Sequence, residues 1–156
     1  MWLYLASPTK PDLTHLVEQV GWPTRLTWQT ADYTPLLDRL EMDQRWAFRL
    51  TANPTHTVGG KRFAHVTVAQ QQQWLLDRAE RSGFRVADTV AGDPDLVIVD
   101  RTVHRFGREG STVTLSTATY DGVLVVADPA ALRGALTGGI GRGKAYGCGL
   151  LTLAKL

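Results

Sequence analysis

Arg45-Trp46-Ala47-Phe48-Arg49-Leu50-Thr51-Ala52 decides how the chain is organised. Trp46, Phe48 and Leu50 fall on alternate positions, with Arg45, Ala47, Arg49 and Thr51 between them. A period of two is the signature of a strand with one buried face. Asn53-Pro54 ends it, because proline cannot donate to a sheet ladder. The outward residues read most simply as a solvated face; the sharper reading has them helping to hold an anionic ligand.

Downstream, Gly59-Gly60-Lys61-Arg62 reads as a turn carrying two cations, and Phe63 to Val68 alternates again. Thr67 and Gln70 have the spacing of a capping box, predicting a helix from about Ala69 to Ser82. Trp74, Leu75, Leu76 and Ala79 form its buried side, Gly83 ends it, and the Gln70–Gln73 run reads as solvated. Phe84 to Val90 reads as a strand and Ala91 to Pro94 as a turn. Leu96 to Thr119 reads as a long hairpin whose tip, around Gly107 and Gly110, is crowded by Arg101, His104, Arg105 and Arg108. A two-stranded ribbon of this kind can enter a groove or track phosphates; the plainer alternative is an edge hairpin kept soluble by charge. Asp121-Gly122 reads as a turn before a strand over Val123 to Val126. Asp128 is a good N-cap and Pro129 a good first helical residue. Leu132, Ala135 and Leu136 pack that helix, which stops at Gly138.

Six glycines then fall within the twelve residues Gly138-Gly139-Ile140-Gly141-Arg142-Gly143-Lys144-Ala145-Tyr146-Gly147-Cys148-Gly149, before a last strand from Leu150 to Ala154. Glycine is too costly to order in a helix at this density. The run suits close backbone approach, with bare N–H groups aimed at an anion and reinforced by Arg142 and Lys144. Gly138 to Lys144 formally fits the start of a nucleotide P-loop. Ala145, however, stands where a Ser or Thr would hold magnesium, and too little chain follows for the long helix.

From residue 45 the element order is β, α, β, β, α, β, the order of an α+β ferredoxin-like (RRM-like) domain, with extra strands in its connections. Upstream, Trp2 to Ala6 and Leu26 to Gln29 read as short strands. A helix after Pro11 carries the stripe Leu13, Leu16, Val17, Val20 and stops at Gly21. Tyr33 to Leu40 reads as a short helix or turn. The expected domains are a partial ferredoxin-like unit over 1–43 and a complete one over 44–156.

Composition narrows the function. No apolar run is long enough to span a membrane, and no secretory leader is visible. The lone Cys148 excludes an internal disulfide and offers no CxxC metal site. A cytoplasmic protein without metal or cofactor is the expectation. The net charge is only +2, but it is uneven: residues 1–100 hold ten Lys/Arg against twelve Asp/Glu, and residues 101–156 hold seven against three. A cationic C-terminal part suits nucleic acid. A small-molecule-binding regulator would more naturally carry an acidic or mixed loop where Arg142 and Lys144 stand.

Four stretches resemble the CasE endoribonucleases, the repeat-processing subunits of Cascade CRISPR complexes. Arg49-Leu50-Thr51-Ala52-Asn53-Pro54-Thr55 resembles a strand end of that family, Gly60-Lys61-Arg62 its basic turn, and Gly138 to Leu151 its C-terminal glycine-rich signature. Trp74-Leu75 is similar to its helix. The resemblance implies two tandem ferredoxin-like domains, a CRISPR-repeat hairpin RNA as ligand, and other Cascade subunits as partners. It also implies metal-independent cleavage, in which the 2′-OH attacks the adjacent phosphate and a histidine works as general acid or base. None of His15, His56, His65 or His104 matches the family's histidine segment, so the catalytic residue is unassigned. Met1 falls within the family's first domain, so about the first quarter of a full-length member is expected to be absent. Whether this chain processes RNA or serves as a non-cleaving RNA-binding and assembly subunit therefore stays open. The expected RNA-binding residues are Lys61, Arg62, Arg101, His104, Arg105, Arg108, Gly139, Gly141, Arg142 and Lys144.

Overall fold

The computed structural model describes residues 4–21 and 28–156. The chain divides into two compact units, Met1–Arg39 and Leu40–Leu156. In the first, helix α1 spans Thr14–Val20 and α2 Thr34–Asp38. Asp12 starts α1 by accepting from the Thr14 amide and hydroxyl at 2.9 and 2.6 Å. The expected strands over 2–6 and 26–29 lie partly outside the described residues. Tyr4 to Ala6 and Trp28-Gln29, which are described, form no strand.

The second unit is a mixed α/β body built on an antiparallel sheet. Its strands are β1 (Arg45–Ala52), β4 (Phe84–Val86), β5 (Leu96–Arg108), β6 (Ser111–Val126) and β7 (Leu151–Ala154). They run in the order β4-β6-β1-β7, with β5 also on β6. A separate hairpin is made of β2 (Thr55–Val58) and β3 (Lys61–Ala64). Its turn is Gly59-Gly60, so Lys61 and Arg62 are strand residues and not turn residues.

The alternation in β1 places Trp46, Phe48, Leu50 and Ala52 on the buried face. Opposite them on β6 stand Leu124, Gly122, Tyr120 and Ala118 in register. Helices α3 (Val68–Ala79) and α4 (Pro129–Gly138) add Trp74, Leu75, Leu132 and Leu136 to this core. Trp74 stacks on Tyr120 with centroids 6.2 Å apart, and Phe48 meets Phe84 at 6.0 Å. Both helix starts follow from side-chain chemistry. The Thr67–Gln70 capping box is complete, and Asp128 accepts from the amides of Ala130 and Ala131. Each satisfies amides that have no partner inside the helix.

Two sequence expectations are corrected by tertiary contacts. Asp121-Gly122 is no turn: β6 runs unbroken through it. Gly122 is needed because a Cβ there would lie 2.2 Å from the Asp95 carbonyl oxygen, where the chain enters β5. The glutamine run is not uniformly solvated, since Gln71 is buried. Its side-chain amide donates to the His65 carbonyl at 2.9 Å, and its main-chain carbonyl accepts from the buried Tyr120 hydroxyl at 3.0 Å. The strand expected over Phe84 to Val90 is also shorter, ending at Val86.

Candidate nucleic-acid interface

The ribbon β5–β6 extends from the sheet and turns at Glu109-Gly110, both in the left-handed region. Along β5, side chains alternate between faces. Asp100, Thr102, His104, Phe106 and Arg108 share one face, and Arg101, Val103 and Arg105 the other. The four expected residues are therefore not one cluster at the tip. Only Arg105 and Arg108 lie near the turn. Arg101 sits mid-ribbon and donates to the Val66 carbonyl, beyond the β2–β3 hairpin. Arg105 and His104 are exposed on opposite faces.

The glycine-rich loop folds back on itself. The amides of Gly139, Ile140, Tyr146, Gly147, Cys148 and Gly149 donate to the carbonyls of Ala135, Gly149, Gly143, Lys144, Gly143 and Thr51. The expected row of bare N–H groups is therefore not found at these six positions, Gly139 included. Gly141 has φ +82°, and a Cβ there would meet the Trp74 ring at 2.8 Å. The glycines let the loop lie against the protein's own tryptophan and strand ends. Arg142 is exposed, and its backbone bridges to Asn53 at the end of β1. Lys144 is exposed too, but its ammonium donates to the Gly138 carbonyl across the loop mouth. It therefore shapes the loop as well as charging it.

A residue missed in the sequence joins loop and ribbon. Tyr146 lies in the one-turn helix Lys144–Tyr146, flanked by Gly143 and Gly147 in left-handed conformation. Its hydroxyl accepts from the Arg108 guanidinium at 2.8 Å, and its ring meets Phe106 edge-on at 5.3 Å. The only cue in the sequence was an aromatic residue held between two such glycines. A cleft of about 430 Å³ opens beside this junction. Asp100, His104 and Phe106 line it from the ribbon, Thr51 and Thr119 from the sheet, and Tyr146 and Cys148 from the loop. Burial pushes the Cys148 thiol up, so it is protonated near neutral pH and serves as packing.

The open face of the sheet is less cationic than β1 alone suggests. Arg49 donates twice to Asp121, at 2.7 and 2.6 Å, and holds that carboxyl below its usual range. Thr51 and Thr119 share a hydrogen bond of 2.8 Å. The solvated-face reading of β1 fits better than a phosphate-binding one. Lys61 and Arg62 are exposed on β3, in the separate two-stranded sheet. Among the described residues no cluster of three or more His, Cys, Asp or Glu could hold a metal. No helix among them is long and apolar enough to cross a membrane.

The arginine–tyrosine contact thus pins a cationic ribbon to a glycine-rich loop. The family described as "CRISPR associated protein" matches residues 1–155. This chain belongs to that family. It is 35% identical over 127 residues to the CRISPR-associated endoribonuclease Cse3 of Thermus thermophilus, covering 77% of this chain and 60% of that one. It is 32% identical over 114 residues to the CRISPR system Cascade subunit CasE of Escherichia coli, covering 70% and 57%. The CRISPR-associated chain thus spans somewhat over half the length of these relatives. Its fold is similar to that of Cse3 bound to a 19-nucleotide RNA, with a TM-score of 0.68 at 36% identity over 74% of this chain and 58% of that one.

Proposed function

We propose that this CRISPR-associated chain binds the hairpin of a CRISPR repeat RNA and works in crRNA processing beside other Cascade subunits. The observation that carries the reading is the projecting β5–β6 ribbon, exposing Arg105 on one face and fixing Arg108 against Tyr146 of the glycine-rich loop. An A-form stem hides its base edges in a deep, narrow major groove, so such a ribbon reads shape and phosphates. Arg105, Arg108 and Arg142 contact phosphates in this account, with His104 beside the RNA in the cleft. Arg101 and Lys144 add charge while holding their backbone partners, and Lys61 and Arg62 supply a second cationic point. Gly139 and Gly141 act through the loop's shape. The likeness to Cse3, which has been seen with RNA bound, supports the same reading.

The second unit is read as ferredoxin-like. Its strand order β4-β6-β1-β7, with a helix after β1 and another after β6, supports that topology. Residues 1–43 would then belong to a partner half-domain and 44–156 to this one. Cutting of the RNA is assigned to no residue here, because none of the four histidines matches the family's histidine segment. The test is titration of a labelled repeat hairpin without metal, scored for both binding and cut product. Saturable binding of the hairpin, weaker for an unstructured RNA of equal length, is expected. Equal affinity for both would contradict hairpin recognition.

A further inference from the structure

The β2–β3 hairpin carries an aromatic strip that the ribbon and loop do not use. Cross-strand register places His56 opposite Phe63, and the His65 amide bonds to the Pro54 carbonyl at 3.0 Å, continuing the ladder. His56, Phe63 and His65 therefore stand on one face of the hairpin. Their rings follow one another: Phe63 to His56 at 5.9 Å, and His56 to His65 at 4.6 Å. The outer end is open, with Phe63 50% exposed and His56 exposed. The inner end is anchored. The His65 carbonyl accepts from the buried Gln71, and its ring rests near Arg78 and Asp77 of α3. The His65 Nδ1 is buried without a hydrogen-bond partner.

The sequence around the strip is cationic. No Asp or Glu occurs between Asp43 and Asp77. Lys61 shares the face of Phe63 on β3, two positions before it, and Arg101 of the ribbon is held at Val66, next to His65. Asp77, at the inner end, accepts from Gln73 at 2.7 Å. Flat rings rimmed by cations suit a nucleobase with its phosphate better than a peptide or an aliphatic surface. We infer that His56, Phe63 and His65 form a stacking platform for unpaired nucleotides, with Lys61 and Arg101 taking their phosphates. The inference rests on the reading of the chain as an RNA-binding subunit. It adds a place for single-stranded RNA on the β2–β3 hairpin, beside the ribbon residue Arg101.

The test uses the whole chain and an oligouridylate bearing one 2-aminopurine, whose fluorescence falls when the base stacks. Binding with quenching is expected. Phe63→Ala and His56→Ala should each weaken binding by roughly tenfold and remove the quench, whereas Phe63→Trp should retain both. Both side chains are exposed enough for these variants to keep the parent melting temperature. If Phe63→Ala nevertheless melts early, His56→Ala alone decides. Absence of quenching with the parent chain, or unchanged quenching in the alanine variants, would overturn the platform. Quenching of the oligonucleotide without binding of the repeat hairpin would leave the platform standing and refute the proposed hairpin function instead.

Discussion

Replacing Gly141 by alanine asks whether the glycine-rich loop is shaped by the protein or by its ligand. Two costs add. Gly141 sits at φ +82°, a conformation that costs an L-residue about 1–2 kcal/mol. The new methyl would lie 2.8 and 2.9 Å from two carbons of the Trp74 ring. That ring cannot retreat. It is 3% exposed, stacked on Tyr120 and covered by Arg78 at 4.3 Å. Overpacking of this kind costs about 1–3 kcal/mol. The sum is roughly 2–5 kcal/mol, or a fall in Tm of roughly 8–20 °C for a unit of this size. Gly147 is the control, with a φ of +79° and nothing within 4 Å of a Cβ. Gly147→Ala should cost only the backbone part, about 1–2 kcal/mol. Thermal and urea denaturation of the two variants would measure the difference. Equal Tm values would refute the packing argument and return Gly141 to a purely ligand-facing role.

Three further outcomes follow from the same contacts. Arg108→Ala should weaken binding of the repeat hairpin while changing stability by no more than about 0.5 kcal/mol, measured by anisotropy titration and a thermal melt. Tyr146→Phe keeps the ring contact with Phe106 but removes the acceptor for Arg108, so amide exchange near the ribbon turn should quicken. His65 is held below its ordinary pKa of 6.5 by burial, helped by His56 and Arg78. The native state therefore resists protonation. Stability should fall as pH drops below 6.5, where the unfolded chain takes up a proton first, and level off once the native imidazole protonates. His65→Gln should flatten that slope in urea unfolding across the pH range.

The sequence made β1, α3 and α4 legible because their cues are local. Alternation sorts Trp46, Phe48 and Leu50 from Arg45 and Arg49, while Thr67 and Asp128 cap the amides of their own helices. It misled where the deciding partner is distant. Asp121-Gly122 looks like a turn until Asp95 is seen pressing on Gly122. Gln71 looks solvated until Tyr120, 49 residues away, reaches it. Glycine density in the loop correctly signalled close approach, but could not say that Trp74 is what approaches Gly141. The cations of the ribbon were visible, whereas their division between two faces needed the register of β5 on β6. Tyr146 carried no charge or spacing rule that would have singled it out.

The central claim is that the ribbon and its loop hold RNA through phosphates. Anisotropy titration of the repeat hairpin between roughly 50 and 200 mM salt tests it most directly, with the parent chain compared to Arg105→Ala. The account predicts that log affinity falls linearly with log salt and that the variant's slope is shallower by about one. An affinity indifferent to salt, or a slope untouched by Arg105→Ala, would contradict it.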